Sequence, residues 1–263
     1  MQHTQYRDDL QSINFFYLFQ TNNNVCYKAL DRLQKSGVLI IKHMPKNDKD
    51  SLLKRSLVSK LFNHLFDNLT SERRQHFPNQ LTTPCTNCTF ESQDKGLQIL
   101  SLPYYKDNGA VHLTLVDGFQ VVEQLPKETY DFFIKFEADY NFKNNNDFKY
   151  VVKRAVIEQN DVIDRIWFSP FHLEGLKSQD FRETCKHFKL LNDRMKMQQN
   201  QWHVELNNET LVILDNYRIC WCLKQPSSVI EMDCLYMERK HYLSSLNILN
   251  KDMPESIINN RIG

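Results

Sequence analysis

The stretch Leu211-Val-Ile-Leu-Asp-Asn-Tyr-Arg218 carries the clearest information about the fold. Its four leading apolar residues predict a buried strand. Asp215 and Asn216 then interrupt the apolar run, and Arg218 follows two residues later. Aspartate and asparagine side chains bond readily to nearby backbone groups, which favours a turn at this point. We therefore expect a core strand whose end is fixed by a polar turn.

Outward from this stretch, short apolar runs alternate with turn residues and amphipathic segments. We expect residues 211–219 to form a hairpin with residues 202–206 across Asn207-Asn208. Gly37 is expected to end a helix, because glycine tolerates the left-handed conformation that follows a last helical turn. Helices are predicted over 26–36, 51–69, 119–125, 129–136, 181–198 and 241–249, and strands over 38–41, 97–102, 111–116, 151–157, 163–168, 202–206, 211–219 and 229–238.

The order of these elements predicts an α+β fold. Helices near the start are followed by many short strands, which is the pattern of a strand sandwich with flanking helices. A length of 263 residues suits one large domain of this kind. We expect an N-terminal arm over 1–24, the folded domain over 25–250 and a C-terminal tail over 251–263.

The composition narrows the class of protein and its partners. Hydrophobic residues make up 41% and charged residues 25% of the chain, which is typical of a folded protein. The formal net charge of +1 gives no general attraction to nucleic acid or to anionic lipid. No apolar run approaches the roughly 20 residues that a bilayer crossing needs. We therefore expect a soluble intracellular protein, cytoplasmic, nuclear or mitochondrial, with neither a membrane nor nucleic acid as its partner.

Three segments, in this order along the chain, carry a resemblance to a known enzyme family. They are Tyr27-Lys-Ala-Leu-Asp-Arg-Leu-Gln-Lys-Ser-Gly-Val-Leu-Ile-Ile41 with His43-Met-Pro45, Leu115-Val-Asp-Gly-Phe119 followed by Glu123-Gln-Leu125, and Asp215-Asn-Tyr-Arg218. Together they resemble the gamma-butyrobetaine and trimethyllysine dioxygenases. The resemblance implies a double-stranded β-helix, or jelly roll, of the TauD/TfdA-like type. In such enzymes two histidines and a carboxylate bind Fe(II) and leave positions for 2-oxoglutarate and oxygen.

The family's metal ligands are replaced at the matching positions. The resemblance places the His-x-Asp pair at Cys85 and Asn87, and the last histidine at Trp221. Asn87 offers only an amide oxygen, and the indole of Trp221 has an N–H donor but no lone pair for a metal. The resemblance therefore implies a degenerate iron site with no metal bound.

The positions that bind 2-oxoglutarate in the family have changed as well. The basic residue that grips its carboxylate corresponds to Ile230, and an assisting threonine corresponds to Leu113. Arginine suits the first role because its fork binds a carboxylate in two places. We therefore expect neither iron nor 2-oxoglutarate as a cofactor, and no catalytic residue.

These replacements indicate a pseudoenzyme, that is, a catalytically inactive dioxygenase-like protein. We expect it to act through protein binding, as an adaptor or a regulatory subunit. The identity of the partner does not follow from the sequence, and a homodimer stays open.

Two alternatives to the pseudoenzyme retain either catalytic activity or a bound ligand. One is an active Fe(II)/2-oxoglutarate-dependent hydroxylase of a trimethylammonium substrate with a rearranged site, for which His112, His172 and His203 are candidate ligands. The other is a non-catalytic binder of a small quaternary ammonium ligand, since aromatic ring faces attract cations. The candidate aromatic pocket consists of Trp167, Phe168, Phe171, Trp202 and Tyr217.

A zinc site is a further alternative. Cys85-x-x-Cys88 and Cys220-x-Cys222 together have the composition of a four-cysteine site. Alternate side chains of a strand point to opposite faces, so Cys220 and Cys222 are expected to point away from the face of Trp221. Small buried thiols are the simpler interpretation of these cysteines.

Overall fold

The computed structural model describes residues 12–19, 23–44, 69–77, 83–86, 95–102, 111–143, 149–170, 172–173, 181–223 and 230–252. In chain order the elements are β1 (Ile13–Asn14), α1 (Phe15–Phe19), α2 (Asn23–Ser36), β2 (Val38–Lys42), β3 (Leu69–Phe77), β4 (Leu97–Ser101), β5 (Val111–Asp117), α3 (Gly118–Glu123), α4 (Lys127–Lys135), β6 (Glu137–Lys143), β7 (Lys149–Ala155), β8 (Ile157–Gln159), β9 (Ile163–Ile166), α5 (Phe181–Lys196), a 3₁₀ turn (Gln198–Asn200), β10 (Gln201–Leu206), β11 (Leu211–Asp215), β12 (Ile219–Leu223), β13 (Ile230–Met237) and α6 (Arg239–Asp252).

Two sheets form the centre of the fold. The large sheet has the strand order β1-β2-β11-β4-β13-β3, and the small sheet has the order β10-β5-β12. An apolar cluster with residues from both sheets, among them Val212, Leu115 and Trp221, lies between them. The α+β strand sandwich predicted from the sequence is confirmed by this arrangement.

Strand β11 is apolar throughout because both of its faces are covered. Leu211 and Ile213 belong to a cluster that α2 and α6 share with the outer face of the large sheet. Val212 and Leu214 point the other way, into the cluster between the sheets. A strand buried on both faces reads as a continuous apolar run, which explains the sequence of this segment.

The hairpin predicted between residues 202–206 and 211–219 is wrong. Strand β10 pairs with β5 in the small sheet, whereas β11 pairs with β2 and β4 in the large sheet. The Asn207 side chain accepts from the N–H of Glu209 and the hydroxyl of Thr210, and the turn that it closes passes from one sheet to the other. A strand with two apolar faces is more stable inside the large sheet than at the end of a hairpin, since both faces are then removed from water.

Other boundaries differ from the prediction as well. The predicted strand over 211–219 ends at Asp215, and Ile219 begins β12 in the small sheet. The predicted helix over 51–69 lies outside the described residues except for Leu69, which begins β3 instead. The helix that ends before Gly37 is confirmed, with Gly37 at φ +74°. Among the described helices, none has the length and apolarity to cross a bilayer.

Residues 216–218 form the corner between β11 and β12. An ion pair between Asp117 and Arg218 fixes this corner. Nε of Arg218 lies 3.0 Å from each carboxylate oxygen of Asp117, and Nη2 donates to the same carboxylate. Nη1 donates to the carbonyl oxygen of Lys35 at 2.7 Å. Asp117 also caps α3, since Oδ1 accepts from the N–H groups of Phe119 and Gln120 at 3.1 and 3.3 Å. One pair thus connects α2, β5, α3 and the corner.

Two glycines allow the backbone to approach this corner. A Cβ atom on Gly37 would lie 2.9 Å from the Ile219 side chain, and one on Gly118 would lie 2.8 Å from the carbonyl oxygen of Arg218. The N–H of Gly118 donates to that oxygen at 2.9 Å. The Asp-Gly and Asp-Asn-Tyr-Arg segments of the sequence are therefore two halves of one structural unit.

Asp117→Ala is expected to lower the free energy of unfolding by about 3–5 kcal/mol, because the loss of one partner leaves a buried charge uncompensated. The change also removes the cap of α3. Asp117→Asn keeps an acceptor for the cap and is expected to cost less. Urea denaturation followed by circular dichroism measures both changes.

The matched control is Asp131→Asn, which breaks an exposed pair with Lys127 on α4. Exposed pairs of this kind contribute about 0.2–1 kcal/mol. A loss on Asp117→Ala no larger than the loss in this control would contradict the role of the corner.

Candidate functional site

The structure brings two of the predicted ligand positions, Cys85 and Trp221, side by side. The N–H of Cys85 donates to the carbonyl oxygen of Trp221 at 3.1 Å, and the reverse bond measures 3.0 Å. Residues that hold one ion must lie close together, so this pairing is the geometry that a shared centre needs. Asn87 lies outside the described residues.

Trp221 fills the interior at this point. Its side chain is part of the cluster between the two sheets and is 1% exposed. The indole N–H donates to Oε1 of Gln98 at 2.9 Å, and the amide of Gln98 donates to the hydroxyl of Tyr236 at 3.3 Å. The ammonium group of Lys95 lies 4.5 Å from the centre of the Tyr236 ring. A short polar chain therefore crosses an apolar interior and satisfies the indole.

The thiol of Cys85 lies in an environment that keeps it protonated. Its pKa is raised to about 12, because burial and the neighbouring Cys222 raise it by more than a hydrogen bond with Ser169 lowers it. Ser169 Oγ also lies 2.7 Å from Nδ1 of His172, whose pKa burial lowers. A thiol needs to lose its proton to bind a metal, so this environment disfavours ligation.

The residues at these two positions do not fit an iron ion. The indole of Trp221 has no lone pair for a metal and already uses its N–H on Gln98. The Cys85 thiol remains neutral at physiological pH because its pKa lies near 12. Neither side chain thus offers the metal-binding donor atom that the resemblance implies at its position.

The two positions at which the resemblance predicts 2-oxoglutarate contacts are an apolar core residue and the first residue of a strand. Leu113, in β5, is fully buried in the cluster between the sheets. Ile230 is the first residue of β13 and pairs with Phe77, and its side chain lies outside the described part of the structure. Thr114, next to Leu113, is turned to the other face of β5, where its hydroxyl lies 3.2 Å from Nδ1 of His203.

Among the described residues, the cysteines and histidines of the alternative metal sites do not form a group of three ligand atoms within 4.8 Å of one another. Cys220 lies in the cluster under α3, α4 and α5, on the opposite face from Trp221, as strand alternation predicts. His112 and His203 are exposed on β5 and β10. Cys88 lies outside the described residues. Among the described residues, the one group of three potential ligands within 4.8 Å is Glu128, Glu183 and His187.

The aromatic candidates that the structure describes fall into two regions, one around Trp167 in the cluster under the helices and one at Trp202 beside the cluster between the sheets. Trp167 and Tyr217 come together, but their ring faces are covered by arginines of the chain. Arg165 lies 3.3 Å from the Trp167 ring and 3.7 Å from the Tyr217 ring, and Arg154 lies 3.7 Å from the Trp167 ring.

Of the remaining aromatic candidates, one lies beside Trp167, one lies on β10 and one lies outside the described residues. Phe168 is buried beside Trp167 in the cluster under the helices. Trp202 lies on β10, where it lines a cleft of about 510 Å³ beside β2. Phe171 lies outside the described residues.

Sequence reasoning missed the polar residues of the interior. Gln98 interrupts the apolar run of β4 and is fully buried, and this interruption was the available signal. Nothing in the sequence links Gln98 with Trp221 or Tyr236, since they are more than a hundred residues apart.

Comparison with known proteins shows the fold. No protein-family model matches the chain, and no curated protein does. A taurine dioxygenase from Burkholderia xenovorans superposes with a TM-score of 0.62 and 11% identity, covering 82% of this chain and 82% of that chain. AAD-2, solved with Mn(II) and N-oxalylglycine, gives a TM-score of 0.62 and 11% identity over 82% of this chain and 88% of that chain.

The fold is therefore the α+β double-stranded β-helix of the TauD-like dioxygenases, as the sequence predicts. At 11% identity the likeness concerns the fold alone. The narrower resemblance to the gamma-butyrobetaine and trimethyllysine dioxygenases stays a prediction.

We predict that the free energy of unfolding falls at alkaline pH because of the buried thiols. Burial raises the pKa of Cys85 to about 12 and of Cys222 to about 11, both from 9.0, and raises that of Cys220 as well. Above pH 9 the unfolded chain releases thiol protons that the folded chain retains. The contribution of these thiols to the free energy of unfolding is therefore expected to be constant well below pH 9 and to fall as the pH rises towards 11.

Each thiol contributes a slope of at most about 1.4 kcal/mol per pH unit. Urea denaturation at intervals of half a pH unit measures the total slope. Cys220→Ala removes one titrating group and is expected to give a shallower fall, while a slope identical to that of the unmodified chain would argue against this assignment.

Proposed function

We propose that this chain is a catalytically inactive protein with a dioxygenase fold, which acts through protein binding as an adaptor or a regulatory subunit. The observation that supports this proposal most is the burial of the Trp221 indole between the two sheets, at the position where the resemblance predicts a metal ligand. Its partner Cys85 is buried and protonated.

The interior supports the proposal through what fills it. Trp221, Leu113 and Leu115 pack in the cluster between the sheets together with Met232. Burial of each large apolar side chain stabilises a fold by about 1.5–3 kcal/mol. Such a core stabilises the sandwich by excluding water, whereas binding of a dicarboxylate co-substrate needs a polar cavity there.

The retained parts of the fold also agree with the proposal. The corner built by Asp117 and Arg218 positions strands and a helix without offering a reactive group. A chain that keeps this corner and fills the centre keeps a surface on which a protein can dock. In this proposal the chain functions through its surface, where a partner protein binds, and not through a site in its interior.

The chain is expected to catalyse no turnover of 2-oxoglutarate. Chelator-treated protein, reloaded with Fe(II) and given 2-oxoglutarate and ascorbate in air, is expected to form less than one equivalent of succinate per chain. Titration with N-oxalylglycine and Mn(II) is expected to give no binding.

The control for a contaminating enzyme is a mock preparation, purified in the same way from cells that do not express the chain. Oxygen-dependent succinate formation over many turnovers in the unmodified chain, absent in an anaerobic sample, would favour an active oxygenase. Equal activity in the mock preparation would point to a contaminant and leave the expectation of an inactive chain in place.

A protein partner is expected to bind the folded chain in a defined ratio. Affinity purification with quantitative mass spectrometry compares three baits: the unmodified chain, Trp221→Phe and Asp117→Ala. The partner is expected with the first two baits, whose folded surface is the same, and to be depleted with the third, whose corner is broken.

Reconstitution with the purified partner then measures stoichiometry by light scattering. The adaptor role is wrong if the unmodified chain retains nothing beyond what Asp117→Ala retains. A second copy of the chain as the sole partner would make the protein a homodimer instead.

A further inference from the structure

Three potential metal ligands meet on the helices that cover the small sheet. One oxygen of Glu128, one oxygen of Glu183 and one ring nitrogen of His187 lie within 4.8 Å of one another. Their burial is graded, since Glu128 is exposed, Glu183 is half-buried and His187 is buried. The group therefore opens to solvent on one side and rests on the core on the other.

The two helices present these side chains to each other. Glu128 belongs to the first turn of α4, while Glu183 and His187 lie four residues apart on α5. Residues four apart share one face of a helix, so the carboxylate and the imidazole point to the same side. The sequence keeps Glu128 and His187 far apart, and the packing of α4 on α5 joins them.

His187 is held with one nitrogen towards the carboxylates. Its side chain is 5% exposed, and Nδ1 lies 3.0 Å from the hydroxyl of Thr129. The Phe132 ring stacks on the imidazole with 4.3 Å between ring centres, and Phe133 meets it edge-on. These contacts fix the ring in one orientation before any ligand arrives.

The second ring nitrogen of His187, Nε2, is placed where it can bind a metal. Nε2 lies 3.6 Å from Oε1 of Glu183, which is longer than a hydrogen bond. In the tautomer that donates from Nδ1 to Thr129, Nε2 carries the lone pair and faces both carboxylates. Metal-binding histidines typically donate their other N–H to a nearby oxygen, which orients the ring and raises its basicity.

We propose that Glu128, Glu183 and His187 form a binding site for a divalent transition-metal cation, with Zn²⁺ as the best match. One imidazole and two carboxylates are ligands that Zn²⁺ accepts in a four-coordinate site, where a water takes the fourth position. Mg²⁺ and Ca²⁺ prefer sites made of oxygen ligands, so the imidazole disfavours them. The bound cation joins α4 to α5.

Lys186 is the competitor of the cation. Its ammonium lies 3.0 Å from Oε1 of Glu183 in an exposed ion pair. A divalent cation at the site displaces this ammonium or shares the carboxylate with it. Removal of Lys186 is therefore expected to strengthen metal binding, which a merely structural cluster does not predict.

Isothermal titration of the chelator-treated full chain with Zn²⁺ tests the proposal. We expect one cation per chain, at least tenfold weaker binding in Glu128→Gln and in Glu183→Gln, and severalfold tighter binding in Lys186→Met. The matched controls are Asp193→Asn and Lys189→Met, which alter an exposed pair on the same helix and are expected to leave the affinity unchanged. His187→Gln serves as a third ligand variant where it folds.

Co²⁺ absorption separates this site from the cysteines. Ligation by nitrogen and oxygen gives d–d bands without the charge-transfer band of a Co²⁺–thiolate bond. A thiolate band, an affinity unchanged in both glutamate variants, or no binding at all would overturn the proposal. The proposed adaptor function does not depend on any of these outcomes, because turnover and partner binding are measured separately.

Discussion

The bidentate ion pair between Asp117 and Arg218 holds the corner on which the arrangement of the two sheets depends. Arg218 also reaches the end of α2, and Asp117 also begins α3. Both side chains are largely removed from water, so each needs the other to offset the cost of its burial. The chain can pass from the large sheet to the small sheet within three residues because this pair fixes the turn.

The corner is followed closely by the tryptophan that fills the interior between the two sheets. Trp221 lies three residues beyond Arg218, at the middle of β12, and its indole bonds to Gln98 across the sandwich. A buried N–H without an acceptor costs about 1–3 kcal/mol, so the indole and Gln98 form a matched pair. This bond and the packing around Trp221 therefore both stabilise the sandwich.

The sequence predicts local structure here better than it predicts pairing. The apolar run of β11 and the glycine after α2 follow from periodicity and backbone preference, and both are confirmed. The hairpin was wrong because turn residues such as Asn207 and Asn208 do not show which sheet the next strand joins. The pairing of Cys85 with Trp221 was anticipated only through the resemblance, and the meeting of Glu128 with His187 depends on helix packing that no local pattern encodes.

Arg165 lies between the rings of Trp167 and Tyr217, and Arg154 covers Trp167 from another position. Aromatic faces that attract a cation from solution are here filled by cations tethered to the same chain. A tethered group has a fixed effective concentration, so its occupancy does not follow the level of any metabolite. The aromatic faces of Trp167 and Tyr217 are thus occupied by arginine side chains at any concentration of small cations.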